Sequence, residues 1–172
     1  MINPPLKEVS YCKLVKDKSL SRPALLELIR SVLDQNAHFR FKAGGGSMSP
    51  FIRNNDLITL APVDSRPIRS GDIVAFIHPY SKQLVIHRVV GTCKEQFRLK
   101  GDNIGSEDGL ISKRSIVGKV VDIQGHPCRN RIGLGPGRIL IAFLSRNNLL
   151  IFPVSLLQKA YHYLGFSQNR TG

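Results

Sequence analysis

The spacing of apolar residues divides the chain into segments with different periods. Over residues 22–36 apolar side chains recur every three or four positions, which predicts an amphipathic helix whose apolar face packs on a core. Ser21 is a suitable N-cap for this helix, and Pro23 fits its first turn. Residues 1–20 are polar and show no clear period, so we expect a loose N-terminal arm.

Between residues 38 and 124 the pattern changes to short β-type runs. Phe39, Phe41 and Ala43 alternate with basic residues, and further apolar runs follow between clusters of Gly, Asn, Asp, Pro and Ser. Short strands with turns between them are typical of a mainly β protein, here a compact antiparallel sheet or barrel. Besides the strand that starts at residue 38, the runs predict strands at 57–61, 73–77, 84–90, 97–100 and 116–123.

Residues 125–172 are expected to form a helical, partly apolar tail, after an arm and helix over 1–37 and a β-rich core over 38–124. The apolar runs 139–144 and 149–157 are separated by Arg146, and Pro153 interrupts the second run. Arginine at mid-membrane depth costs roughly 2.5–3.5 kcal/mol, and proline breaks a helix. We therefore expect two short helices that lie on the core or on a membrane surface, and no spanning helix.

The composition is that of one ordinary globular domain. The chain has 172 residues, of which 42% are hydrophobic and 22% charged, enough apolar material for a core without disulfides. Its three cysteines are widely spaced and form no CxxC pair. The histidines at positions 38, 78, 126 and 162 have no partners at metal-ligand spacing, and glycine-rich nucleotide motifs are absent. We therefore expect no metal and no cofactor.

A formal net charge of +13 is the strongest compositional signal, and the last 48 residues contain six basic residues and no acidic one. A basic surface favours nucleic acid or anionic lipid as partner, although a basic protein without such a partner has the same composition. The absence of tryptophan and of a known nucleic-acid motif argues against nucleic acid. The first 40 residues contain no apolar core of a signal peptide, so neither a secretory signal nor an N-terminal anchor is predicted.

Three separate segments carry side chains suited to catalysis. Ser47 follows three glycines, where the backbone can bend sharply and an amide can face an oxyanion. His87 lies in an apolar strand, and Asp102 and Asp108 follow Lys100 in a segment that we interpret as a turn. Taken singly, each has an ordinary structural explanation: a glycine loop, a packed histidine, and aspartates that cap a turn.

In their order and spacing, these residues and their neighbours resemble the signal peptidase I family over residues 38–124, half of the chain. The matching segments are Ser47-Met48-Ser49-Pro50, Gly71-Asp72-Ile73-Val74, residues 87–91 (HRVVG), Lys100-Gly101-Asp102-Asn103 and residues 116–120 (IVGKV). The resemblance implies a β-fold shared with LexA-type repressors. The usual bacterial form has a lysine where His87 stands, so the chain is similar to the archaeal and endoplasmic-reticulum form, which uses serine, histidine and aspartate.

The resemblance implies a role for each of these residues. Ser47 would be the nucleophile and His87 its general base, since imidazole is largely neutral at pH 7 and can accept a proton. That form of the family carries two aspartates six positions apart in its last motif. Asp108 is favoured as the residue that orients His87; Asp102 is the alternative, or else it holds the turn.

The resemblance also implies an oxyanion site in the turn that contains the nucleophile. Gly45 stands where many bacterial members have a second donor, a hydroxyl, so that donor is missing or replaced. Lys82 and Lys100 are alternative bases for a Ser–Lys dyad, but we expect both to be solvated, whereas a lysine base needs burial. The residues of the oxyanion turn are Gly46, Ser47 and Met48.

Two functions remain open. The first is a serine endopeptidase of the signal-peptidase type, which cleaves leader or signal peptides after small residues through an acyl-enzyme. Its partners would be a peptide or preprotein and, through residues 125–172, an anionic membrane surface on which it is peripheral; a cytoplasmic location is the alternative. The second is a catalytically silent basic module on the same fold that binds anionic lipid or nucleic acid. Self-cleavage by a Ser–Lys dyad, as in LexA-type repressors, is disfavoured by His87 and by the lack of a recognisable DNA-binding helix pair.

Overall fold

The computed structural model describes residues 8–9, 21–63, 67–125 and 134–151. Two α-helices and eight strands lie in this part of the chain. The helices are α1 (Arg22–Asp34) and α2 (Arg138–Arg146). The strands are β1 (Glu8–Val9), β2 (His38–Lys42), β3 (Leu57–Ala61), β4 (Ile73–Ile77), β5 (Leu84–Cys93), β6 (Gln96–Lys100), β7 (Glu107–Ser112) and β8 (Ile116–Gln124).

The strands form one sheet in the order β1-β2-β3-β8-β4-β5-β6-β7. Neighbouring strands are antiparallel, except for the short parallel pair of β1 and β2. Strand β8 pairs with β3 on one side and β4 on the other, so it joins the N-terminal strands to the meander from β4 to β7. The mainly β fold expected from the apolar pattern is confirmed.

Helix α1 begins where the sequence predicts and packs its apolar face on the sheet. The Ala24 amide donates to the Ser21 hydroxyl (3.4 Å), and Pro23 lies in the first turn. Ile29 is fully buried in the main core cluster. Asn36 adopts a left-handed φ of 57°, so the chain has left the helix before the predicted end at residue 36.

Strand β7 corrects the interpretation of residues 101–108 as a turn. The chain enters a strand at Glu107, and Asp108 is the second residue of that strand, which pairs with β6. Only Ile111 is buried in β7, because β7 lies at the edge of the described sheet. Its sequence therefore lacks the apolar alternation by which a strand is recognised.

The two ends of the chain are described in part. Glu8–Val9, within the expected loose arm, pair with β2, and the rest of residues 1–20 lies outside the described residues. Helix α2 occupies the first predicted tail run and buries Ile141, Ala142 and Ser145 against the core. Most of the second run, 149–157, lies outside the described residues. None of the helices in the described ranges is long and apolar enough to cross a membrane.

Candidate active site

Three consecutive strands bring His87 and Asp108 together. Arg88 of β5 is paired with Lys100 of β6, so His87 lies across from Gly101. Strand β7 then runs back along β6 with Glu107 paired to Lys100, so Asp108 follows one residue later. His87 Nδ1 lies 2.5 Å from Asp108 Oδ2, and the histidine is buried. Since one ring nitrogen is held by the carboxylate, the orientation of the ring is set and Nε2 is left for another partner.

The loop that carries Ser47 follows β2 and is anchored on both sides. Met48 is buried in the main core cluster, and Gly45 adopts a φ of 84°, which glycine tolerates without strain. The Ser47 carbonyl accepts a hydrogen bond from the Asn103 amide (2.8 Å). The serine loop is therefore tied directly to the turn between β6 and β7.

Gly101 is the point at which the serine loop and the histidine meet. A Cβ atom on Gly101 would lie 2.9 Å from the Ser47 carbonyl oxygen and 3.0 Å from His87 Nε2. Both groups therefore face the same small space over the Gly101 backbone. Within residues 21–63 and 67–125 no hydrogen bond joins the Ser47 hydroxyl to His87; the group of Ser47 that lies near the imidazole across Gly101 is its carbonyl.

Asp102 is bound to Arg88 rather than to His87. Arg88 Nε donates to Asp102 Oδ1 (2.9 Å) and Nη2 donates to Oδ2 (2.8 Å), and neither side chain is exposed to solvent. Consecutive side chains of a strand point to opposite faces, so His87 and Arg88 meet different aspartates. Of the two alternatives that the sequence left open, contact with His87 belongs to Asp108, and Asp102 holds the turn.

Arg88 also binds two further segments near the site. Its Nη1 donates to the Gly71 carbonyl (2.9 Å), and its guanidinium lies 5.2 Å from the centre of the Phe51 ring, just beyond the serine loop. Sequence analysis did not identify this role. An arginine inside an apolar strand was the available signal, because arginine is rarely buried unless it is paired.

The turn around the serine also leaves backbone donors free. In the described part of the chain, the amides of Gly46, Ser47 and Met48 donate no hydrogen bond. Free amides in a fixed turn are the groups that stabilise a developing oxyanion. Gly45 supplies no hydroxyl, so any second donor here comes from the backbone.

A cavity of about 620 Å³ opens beside Ser47. The end of β2 and the glycine loop form one wall, residues 82–86 form another, and residues of α1 close one end. Among the described strands, the pairing of β5 with β6 ends at Arg88, so residues 84–86 pair on one side only, with β4. The cavity therefore has an unpaired strand edge in its wall.

Lys100 is buried, contrary to the expectation that it is solvated. It is 1% exposed, and its Nζ donates to the Ser145 carbonyl in the last turn of α2 (2.6 Å). Desolvation lowers the pKa of Lys100, while the nearby Asp102 and Glu107 carboxylates oppose this shift. Its amine therefore serves the contact between α2 and the sheet. Lys82, the other candidate for a lysine base, is exposed as expected.

The described part of the chain contains no candidate metal site. Within residues 21–63, 67–125 and 134–151 no three His, Cys, Asp or Glu side chains lie close enough to hold an ion. His126 and His162 lie outside these ranges, so the absence of a metal site stays a prediction.

The different partners of the two aspartates predict different effects of the same substitution. Asp102→Asn removes the negative charge that binds the buried Arg88 guanidinium, so we expect a loss of about 3–5 kcal/mol in the free energy of unfolding. Asp108→Asn keeps a hydrogen-bonding group beside His87 and should cost about 1 kcal/mol. Urea denaturation of both variants measures the difference. Equal losses would contradict the assignment of Asp102 to structure and Asp108 to the histidine.

Burial of Lys100 predicts a dependence of stability on pH. Because its pKa is lowered in the folded protein, the unfolded chain binds the proton more tightly, and stability rises as pH increases from the folded-state pKa to 10.5. Lys100→Met removes this contribution, whereas Lys42→Met, at an exposed position of β2, keeps it. Unfolding free energies measured from neutral pH to pH 10.5 test this. The same rise in the Lys100→Met protein would show that burial does not perturb this lysine.

Comparison with known proteins agrees with the fold. A protein-family model described as Peptidase S24-like matches residues 13–121, a range that includes Ser47, His87, Asp102 and Asp108. A search of curated proteins finds no match. The family includes serine peptidases and LexA-type repressors, which confirms the expected superfamily and leaves the signal peptidase I type as a prediction. The match covers well over half of this chain, so the chain belongs to the Peptidase S24-like family.

Proposed function

We propose that this protein is a serine endopeptidase in which Ser47, His87 and Asp108 form the catalytic site. The observation that supports this most strongly is the His87–Asp108 pair, whose free ring nitrogen faces the serine loop across Gly101. A buried histidine of purely structural role also needs a partner for its ring N–H, so the position of the second ring nitrogen beside the serine loop carries the argument. Family membership supports peptidase chemistry but does not by itself establish it.

The proposed reaction passes through an acyl-enzyme. Ser47 Oγ attacks the peptide carbonyl while His87 Nε2 takes its proton, and Asp108 stabilises the resulting imidazolium. The free amides of the serine turn bind the oxyanion. His87 then protonates the leaving amine, and a water activated by the same nitrogen hydrolyses the ester. Ser47 and His87 must first approach each other, as catalytic hydrogen bonds often tighten only with substrate bound.

The proposed substrate is an extended peptide that lies in the cavity beside Ser47. The unpaired side of residues 84–86 offers backbone groups for an added strand, and the cavity walls would select side chains. The resemblance to the signal peptidase I family favours leader or signal peptides cut after small residues. His87 in place of the lysine base favours the serine–histidine form of that family.

Cleavage of a peptide library, followed by mass spectrometry, tests the proposal. We expect cuts after small residues by the wild-type protein, and a loss of about 10⁴-fold or more in rate with Ser47→Ala or His87→Ala. Ser49→Ala is the matched control, because this serine lies in the same turn and has no proposed role. Wild-type activity should also fall in acid, since a protonated imidazole accepts no proton.

The absence of cleavage by the wild-type protein, both with and without detergent or lipid, would contradict the proposal and favour a binding module on the same fold. Equal rates for wild type and Ser47→Ala would exclude Ser47 as the nucleophile. Self-cleavage of the protein that is lost in Ser47→Ala would indicate the same chemistry acting within one chain, as in LexA-type repressors.

Gly101 offers a second test, which changes no proposed catalytic group. The Cβ of Gly101→Ala would occupy the space between Ser47 and His87, and displacement of either group by about 1 Å can cost about 100-fold in rate. Gly105→Ala is the control, since a Cβ there would meet no atom within 4 Å. We expect kcat/KM to fall in the first variant and to stay unchanged in the second. Equal kcat/KM values would show that this space is not part of the site.

A further inference from the structure

The outer face of helix α2 is apolar and exposed. Ile139 and Leu140 are each 62% exposed, and Phe143 is 61% exposed. Residues three and four positions apart on a helix are neighbours, so these three side chains form one surface. Ile141, Ala142 and Ser145 form the opposite face and are buried on the core. Leu149, just after the helix, extends the apolar exposure.

The charged residues of α2 itself are both arginines. Arg146, at the end of α2, is exposed, and Arg138, at its beginning, is partly exposed. No acidic residue occurs from position 125 to the end of the chain. Helix α2 therefore combines exposed aliphatic and aromatic side chains with arginines and carries no carboxylate of its own, which is typical of helices that lie in the interface of an anionic membrane.

We propose that helix α2 docks this protein on an anionic lipid surface, with Ile139, Leu140 and Phe143 inserted among the lipids and Arg146 at the phosphate headgroups. A convex helix face with exposed side chains fits the surface of a bilayer. The positive charge selects anionic lipid over neutral lipid and over a cationic protein partner. This inference rests on α2 alone and holds whether or not Ser47 is a nucleophile.

The contacts of α2 with the core make the docking rigid. Lys100 Nζ binds the Ser145 carbonyl at one end of the helix, and Arg138 lies 3.3 Å from the Asp72 carboxylate at the other. Lys100 directly precedes Gly101, next to which the Ser47 carbonyl and His87 Nε2 lie. A lipid surface bound by α2 is therefore held in a fixed orientation relative to the candidate active site.

The absence of tryptophan from the chain allows a site-specific test on the full-length protein. Phe143→Trp places a single fluorophore on the proposed lipid face. Tyr80→Trp is the control, because Tyr80 is 87% exposed and lies away from α2. Tyr80 follows the C-terminal end of β4, whereas α2 contacts Gly71, which precedes the N-terminal end of that strand. Each protein is mixed with phosphatidylcholine vesicles, with or without phosphatidylglycerol, and with the same lipids carrying bromine on their acyl chains.

We expect the fluorescence of Phe143→Trp to shift to shorter wavelength and to be quenched by bromine only on vesicles that contain phosphatidylglycerol. Tyr80→Trp should show neither change. Adding Arg146→Glu to the Phe143→Trp protein should weaken binding by at least about fivefold, because each basic residue near an anionic surface contributes about that factor. Leu140→Trp repeats the measurement on the same face if Phe143→Trp folds poorly.

Three results would overturn the proposal. The first is no bromine quenching at either position of α2 on anionic vesicles. The second is equal quenching of the Tyr80→Trp control, which would indicate adsorption unrelated to α2. The third is a Phe143→Trp protein whose fluorophore is already shielded from aqueous acrylamide without vesicles, since the face would then be covered by the protein itself or by a second copy.

Discussion

A buried ion pair between Arg88 and Asp102 connects the segments that form the candidate active site. The guanidinium binds the Asp102 carboxylate through two nitrogens, the carbonyl of Gly71, and the face of Phe51. Asp102, Gly71 and Phe51 belong to three separate segments of the chain, and Phe51 lies four residues after the proposed nucleophile, Ser47. A buried pair of this kind often adds no more stability than apolar residues of the same volume would. Its effect here is to fix the relative positions of the loops.

The alternation of side chains in β5 separates this structural pair from the proposed catalytic pair. Arg88 turns to one face with Asp102, and His87 turns to the other with Asp108. Gly101 lies between the two, and the absence of a side chain there lets His87 approach the backbone of the serine loop. Two aspartates six residues apart therefore have different partners: Asp102 binds Arg88 and holds the turn, and Asp108 binds the imidazole of His87.

Local signals in the sequence were sufficient for β3 and β4, whose residues are nearly all buried, and for the start of α1. The bounds of β3 and β4 agree with the prediction, and α1 begins at the predicted residue, since its cap and its period are both local features. Strand β7 was missed because an edge strand with one buried residue shows no alternation. Burial of Lys100 was missed because its partner, the Ser145 carbonyl, is 45 positions away in sequence and is a backbone atom.

The candidate site residues were proposed from their order along the chain, and Asp108 was favoured over Asp102 as the partner of His87 only through the family resemblance. Asp102 and Asp108 are both compatible with a role beside His87, because a spacing of six does not state where a turn ends and a strand begins. The folded structure decides between them, because it pairs Arg88 with Asp102 and His87 with Asp108.

Reaction with a fluorophosphonate is the most direct test of the central claim, that His87 and Asp108 activate Ser47. Such a reagent reacts far faster with an activated serine than with an ordinary one, and mass spectrometry identifies the modified residue. We expect one phosphonyl group on Ser47 of the wild-type protein and none on the His87→Ala protein. Modification of another serine, equal modification without His87, or no modification of a folded wild-type protein would contradict the account.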